Sequence, residues 1–166
     1  MNLLAKHLPV SHIALDVDVT SKKRLFEQIG LHFENENKIA RATVFDALFA
    51  REKLCSTGLG CAVAIPHGRI KGLRDTIATF IRTKDGVPFE APDGEPVRLV
   101  VAMLVPANAT EQHLNMLSEL AQLFSDKELR SQLLAEPDAA RVHTLLTTWS
   151  PYGGTDHAPV KRTAAL

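Results

Sequence analysis

One run of the chain restricts its fold more than any other. Leu99-Val100-Val101-Ala102-Met103-Leu104-Val105 is continuously apolar, and Val97 to Val105 reads as the strongest strand of the sequence. A strand that alternates can give one face to water. A strand that does not alternate must be covered on both faces, and helices on either side of a sheet do this. A second strand is expected over Thr76–Thr83, which is β-branched and apolar, and a short one at Ile13-Ala14-Leu15. Residues 87–96 hold Pro88, Pro92, Asp93-Gly94 and Pro96 and read as a loop or edge hairpin. The adjacent helix pairs and the Asp-Gly hairpin point to a mixed sheet rather than a strict βαβ series. The expected fold is therefore α/β, with a mixed sheet flanked by helices in three α/β/α layers. At 166 residues the chain fits one domain. Such a domain buries roughly 68–70% of its unfolded surface and needs no disulfide or metal to hold it.

Helices fill the remainder. Thr20 is the expected cap of a helix to about residue 33, with Leu25, Ile29 and Phe33 as its stripe. A polar break at Glu34–Lys38 precedes a second helix carrying Val44, Leu48 and Arg51 on one face. Residues 55–68 read as a short buried strand or two, ending in a tight turn at Ile65-Pro66-His67-Gly68. Three helices should close the domain. The first is capped by Thr110 and turns Leu114, Leu117, Ala121 and Phe124 inward. The second opens on a Ser125-Asp126-Lys127-Glu128 capping box. The third carries Pro137 in its first turn and Val142, Leu145, Leu146 and Trp149 on its apolar face. The domain is expected over 1–149, and residues 150–166, with Pro151, Gly153, Gly154 and Pro159 and no periodicity, are expected to be a disordered tail.

Charge narrows the classes of function. Lys and Arg total 19, as do Asp and Glu. A neutral chain does not bind nucleic acid by bulk charge. No apolar run is long enough for a transmembrane helix, and the N-terminus lacks the pattern of a signal peptide. Cys55 and Cys61 are six apart, outside any C-x-x-C pattern, so a reducing cytoplasm is the natural setting. No P-loop, G-x-S-x-G, G-x-G-x-x-G or H-E-x-x-H occurs, and the sequence requires neither metal nor nucleotide.

Histidines remain as the chemical candidates. His67 follows Pro66, which fixes the backbone, and precedes Gly68, which allows close approach. That holds an imidazole at the rim of a sheet, where ligand sites collect. A histidine bonded only to its own turn fits the local sequence equally well. His113 falls in a first helical turn, where N–H groups favour an anion and disfavour an imidazolium. Locally a surface histidine is the simpler reading. Arg51 is either a snorkelling surface residue or aimed at an anion. His32, His143 and His157 carry no sign of chemistry. Cys61 near His67 would suggest a thiol–imidazole pair or a metal, but the sequence supplies no further partners.

The stretch from Arg51 to Arg69 resembles the signature of phosphotransferase-system enzyme IIA proteins of the fructose/mannitol type, with Glu52, then Leu59-Gly60, then Val63-Ala64-Ile65-Pro66-His67-Gly68. Ala91-Pro92-Asp93-Gly94-Glu95-Pro96-Val97, Leu104-Val105-Pro106, Thr110-Glu111-Gln112-His113-Leu114 and Leu123-Phe124-Ser125-Asp126 continue the resemblance in order. Ser56-Thr57-Gly58-Leu59-Gly60 and the Ala-Pro-Asp-Gly segment look most like the nitrogen-regulatory branch, as does a lone domain with no attached transporter segment. The resemblance implies that His67 is phosphorylated, that His113 stabilises the phosphate and that Arg51 lies near it. It implies a cytoplasmic phosphotransferase component with a phosphohistidine intermediate, not a free-standing turnover enzyme, and no cofactor. It also implies an HPr-like phosphocarrier as donor and regulatory targets such as potassium-transport or sensor proteins. Relatives often carry Asn or an acid where this chain has Cys61. A sugar-transporter IIA component, a binding module that never carries phosphate, and a small hydrolase with His67 as base are the alternatives.

Overall fold

The computed structural model describes residues 2–108 and 111–151. Its axis is the apolar run. Strand β6, Val97–Pro106, lies inside a six-stranded sheet whose other strands are β1 (Ile13–Val17), β2 (Gly58–Gly60), β3 (Val63–Ala64), β4 (His67–Ile70) and β5 (Ile77–Val87). Along one edge β6 pairs antiparallel with β5, which pairs parallel with β1. Along the other edge it pairs parallel with β3 at Leu99–Val100 and with β4 at Met103–Pro106. The gap between those two short strands is Ile65-Pro66. It stays bonded because the Pro66 carbonyl accepts the Met103 N–H at 3.0 Å.

The absence of alternation in β6 has the expected consequence. Leu99, Val101, Met103 and Val105 enter one core layer with Met116, Leu120, Leu123, Leu129, Leu133, Val142 and Leu146. Those residues belong to α3 (Glu111–Phe124), α4 (Lys127–Ala135) and α5 (Ala139–Thr148). Val100, Ala102 and Leu104 enter the other layer, against Leu25, Phe26, Ile29 and Phe33 of α1 (Lys22–Asn37) and Val44 and Leu48 of α2 (Arg41–Glu52). The result is the three-layer α/β/α arrangement around a mixed sheet. Each fully buried Leu, Val or Phe here contributes about 1.5–3 kcal/mol.

Several boundaries differ from the sequence reading, each for a local reason. Helix α1 is capped by Ser21, whose Oγ accepts the Arg24 N–H, and Thr20 stands one residue outside. The helix continues to Asn37 and stops where Lys38 takes a left-handed φ of 60°, so most of the polar break is helix. Glu34 in that segment accepts the Arg41 N–H at 2.9 Å, supplying α2 with the acceptor that its own cap, Ala40, lacks. Asp126, not Ser125, caps α4, and Ser125 Oγ turns back to the Gln122 carbonyl. Pro137 precedes the cap of α5, Asp138, instead of lying in its first turn. The inward stripe of α3 is His113, Met116, Leu120, Leu123 and Phe124. Leu114 and Ala121 are exposed and Leu117 is half-buried. Thr110 and residues 152–166 of the expected tail lie outside the described residues.

One buried cation ties the layers together. Arg82 of β5 donates to the carbonyls of Leu133 and Glu136, at the end of α4, and pairs with Asp16. A positive side chain at a helix C-terminus satisfies its free carbonyls and suits the helix dipole.

Candidate functional site

Three segments meet at the site: the end of α2, the start of β4 and the first turn of α3. Their close approach depends on Gly68. A Cβ there would lie 2.8 Å from the Ala47 carbonyl, so any other residue would push α2 off the sheet. The freedom the sequence suggested at Gly68 thus serves helix packing.

His67 opens β4 and pairs in register with Met103, whose side chain faces the α3 layer. His67 is only 8% exposed, so its place at the rim of the sheet is a largely buried one. Its Nδ1 lies 2.7 Å from the Ile65 carbonyl. A carbonyl can only accept, so Nδ1 carries the proton of the neutral ring and Nε2 carries the lone pair. Both readings of the local sequence therefore meet in one residue: it bonds its own turn, and doing so leaves a nucleophilic nitrogen.

His113 comes from α3 to lie beside it. The ring centroids are 5.0 Å apart, with the planes at 57°. His113 is also 8% exposed, and its Nδ1 is buried without a hydrogen-bond partner. Burial is the main cause that lowers its pKa to about 4, with a charged His67, Arg69 and Arg51 adding to it. The His67 pKa is also lowered, first by burial. Arg51 and Arg69 lower it further, while the bond to Ile65 and the Glu52 carboxylate act in the opposite sense. Both rings are therefore neutral near pH 7.

Arg51 is half-exposed at the last turn of α2, its Nη1 donating to the Cys55 carbonyl at 2.6 Å. Arg69 donates to the Ala107 carbonyl at 2.9 Å. Two neutral imidazoles within the field of two guanidiniums form a site for an anion. Leu54, just past the end of α2, and Leu114, in the first turn of α3, are exposed and close in the chain to Arg51 and His113. Two other clefts, of about 840 Å³ between α1 and α2 and about 550 Å³ beside His12 and Asn37, include none of the three predicted site residues.

Other features separate from this site. Cys61 is exposed, and its N–H donates to Asp93 Oδ2 at 2.8 Å. Cys61 and Ala62 both take positive φ, 55° and 66°, in the two-residue turn between β2 and β3. Such a turn favours Asn, which tolerates the left-handed region, and this accounts for an amide at that position without any contact to a ligand. Among the described residues no group of His, Cys, Asp and Glu is arranged to hold a metal. His143 and His7 bond carbonyls of Leu8 and Thr76, structural roles both.

Sequence reasoning missed the support beneath His67. Glu52 is 7% exposed, and its carboxylate takes both the N–H and the hydroxyl of Thr57 and the ammonium of Lys22. The acid was visible in the motif; its partners, five and thirty residues away, were not.

Comparison with known proteins bears on the family and the fold. Residues 6–149 match the family model for the phosphoenolpyruvate-dependent sugar phosphotransferase system, EIIA 2. The nitrogen regulatory protein of Pseudomonas aeruginosa is 38% identical over 133 residues, 76% of this chain and 82% of that protein. That of Escherichia coli K12 is 35% identical over 134 residues, 79% of this chain and 81% of that protein. The crystal structure of nitrogen regulatory protein IIA-Ntr from Neisseria meningitidis superimposes with a TM-score of 0.81 at 53% identity, covering 86% of this chain and 97% of that one. Among the described residues no helix is long and apolar enough to cross a membrane.

Proposed function

From the chain's membership of the EIIA 2 family of the phosphoenolpyruvate-dependent sugar phosphotransferase system, in its nitrogen-regulatory branch, we propose that His67 is the residue that takes up the phosphoryl group, from an HPr-like phosphocarrier. The observation that carries this reading is the His67 tautomer. With Nδ1–H held on the Ile65 carbonyl, Nε2 is the nitrogen with a lone pair, and the centroid of the His113 ring lies 5.0 Å from that of His67.

The transfer is a direct exchange. The Nε2 lone pair forms a bond to phosphorus as the bond to the donor's histidine nitrogen breaks, and the donor nitrogen keeps that electron pair. The ring gains positive character as this happens, and the Ile65 carbonyl stabilises it through Nδ1–H. Phosphoryl transfer needs positioning and charge stabilisation more than further covalent chemistry. Arg51 and Arg69 supply positive charge, and neutral His113 supplies a donor for an equatorial oxygen. The exposed Leu54 and Leu114 give a carrier apolar side chains to dock on. Phosphate on His67 then changes the charge of that surface by roughly −1.5 to −2, so that targets such as potassium-transport or sensor proteins bind only one form. The setting is cytoplasmic.

Incubation with a phosphorylated HPr-like carrier tests the reading. Acid-labile label on His67 is the expected result. No label would leave a binding module that never carries phosphate, and catalytic release of product would point to a hydrolase.

A further inference from the structure

We propose that Glu52 is a positioning residue for His67, acting through Thr57 and the backbone of Ile65 to fix which imidazole nitrogen is presented. The inference rests on the reading of His67 as the phosphoryl acceptor.

The contacts run without a gap from α1 to the imidazole. Lys22 Nζ lies 2.9 Å from Glu52 Oε2. The same carboxylate accepts the Thr57 N–H at 3.0 Å through Oε2 and the Thr57 hydroxyl at 2.6 Å through Oε1. The Thr57 carbonyl accepts the Ile65 N–H at 3.0 Å. The Ile65 carbonyl in turn accepts His67 Nδ1–H at 2.7 Å. Every step is a direct hydrogen bond or ion pair. The last one sets the tautomer. The Ile65 N–H and C=O lie in successive peptide units joined at the Ile65 Cα, so the bond to Thr57 anchors the backbone from which the carbonyl reaches His67.

The cost of this arrangement argues that it is more than a loop anchor. The Glu52 side chain is 3% exposed, and a buried carboxylate is expensive to desolvate. A buried glutamine could bond Thr57 without that expense. The negative charge has a specific counterpart. Arg51 and Arg69 both disfavour positive charge on His67, and the Glu52 carboxylate acts the other way. A site filled only with guanidiniums would hold an incoming phosphate but oppose the positive charge that develops on the attacking ring. Glu52 offsets this from a buried position, with its oxygens already engaged by Thr57 and Lys22. Lys22 sits 4.6 Å over the Phe89 ring, and Ser56 Oγ donates to the Phe89 carbonyl, which holds the far end of the network in place.

The test compares Glu52→Gln, Thr57→Val and Thr57→Ser with wild type. Long-range 1H–15N spectra read the His67 tautomer and titration, and phosphoryl uptake is measured from a phosphorylated HPr-like carrier. In Glu52→Gln and Thr57→Val the Nδ1–H form is expected to lose its dominance, and in Glu52→Gln the His67 titration moves further down as the opposing charge is lost. Uptake falls by about 10- to 100-fold, in keeping with the cost of slight misplacement of a reacting group. Thr57→Ser restores both signals. Leu133→Ala, in α4, lowers stability without touching the network and leaves the His67 spectrum as in wild type. Should Glu52→Gln not fold, Thr57→Val, which keeps the shape and the backbone N–H, decides alone. Folded variants with wild-type tautomer and titration would overturn the proposal. Wild-type protein that takes no phosphate would instead overturn the acceptor role of His67, while the spectra still report the positioning.

Discussion

Among the described residues two pairs of histidines lie at nearly the same ring distance, one tilted at 57° and the other edge-on at 87°. The rings of His67 and His113 are 5.0 Å apart, and those of His12 and His32 are 4.9 Å apart. In each pair one ring holds a backbone carbonyl through Nδ1, His67 that of Ile65 and His12 that of Ala78. In each the second ring has a buried nitrogen without a partner, Nδ1 of His113 and Nε2 of His32. Distance, tautomer control and an orphaned nitrogen therefore do not make a site. The surroundings do. Arg51 and Arg69 act on the first pair, whereas Glu36 acts on His32, and the second pair packs edge-on against Phe33 in the α1 core. The charges that act on the first pair suit an anion, and the carboxylate that acts on His32 does not.

The sharpest way to break this comparison is to remove one ring from each pair. His67→Ala should abolish acid-labile, base-stable phosphohistidine labelling completely, while His32→Phe should label like wild type. His67→Ala strands the Ile65 carbonyl in a buried setting, at a cost of about 1–3 kcal/mol, which a domain of this size survives. Far-UV circular dichroism checks that it remains folded. Label retained in folded His67→Ala would reassign the acceptor.

The next effect in size belongs to His113. His113→Ala should slow transfer without abolishing it, by no more than the roughly 10²–10³-fold, or about 2.7–4 kcal/mol, that loss of one fixed donor costs in an oxyanion-type site. Stopped-flow or quenched-flow uptake kinetics measure it. Wild-type kinetics in this variant would make the two histidine pairs equivalent after all.

The two pairs were unequally legible in the sequence. Pro66-His67-Gly68 marked His67 because Pro and Gly act locally, on the backbone of the residues beside them. His113 was ambiguous, because the register of α3 decides whether it faces the sheet, and the structure turns Met116 and Leu120 inward with it instead of Leu114. The continuous apolar run foretold the two-sided cover of β6, since burial on both faces leaves no other pattern. The helix caps slipped by a residue at Thr20 and Ser125 because Ser21 and Asp126, each the neighbour, satisfy the same donors. Glu34 reaching Arg41, and Glu52 reaching Thr57 and Lys22, depend on tertiary approach that no local pattern encodes.

Acid should perturb both pairs yet separate them by readout. Burial lowers the pKa of His67, His113 and His32 below the ordinary value of 6.5, that of His113 to about 4. In the unfolded chain these rings bind protons near pH 6.5 and in the folded chain only at lower pH. Their contribution to stability is thus full above pH 6.5. It is lost progressively as pH falls from there through the folded values, since the unfolded state then binds more protons. Denaturant titrations between pH 7.5 and 4 should show a shallower loss of stability in His113→Gln and in His32→Phe than in wild type. Phosphoryl uptake should hold up as pH falls through 6.5, because burial keeps the His67 pKa below that ordinary value. An uptake rate that halves at pH 6.5 would show His67 titrating as an ordinary exposed histidine.

The smallest expected effect concerns the approach of the donor, and it too distinguishes the pairs. Lys71 and Arg74 are exposed beyond the end of β4, on the same segment as His67 and Arg69. Positive side chains at the rim of a docking surface speed encounter with an acidic partner and do little once it is bound. Replacing both by Gln should lower the association rate of an HPr-like donor several-fold at low salt, and the difference should shrink as ionic strength rises past 0.15 M, where screening acts within about 8 Å. Lys23→Gln with Arg24→Gln, on α1 and on the exposed side of the helix that carries His32, removes the same charge from the other region. That variant should associate at the wild-type rate at every salt concentration. Equal slowing in both variants would mean that the donor responds to net charge alone, so that the cationic surroundings of the His67 pair do not guide it.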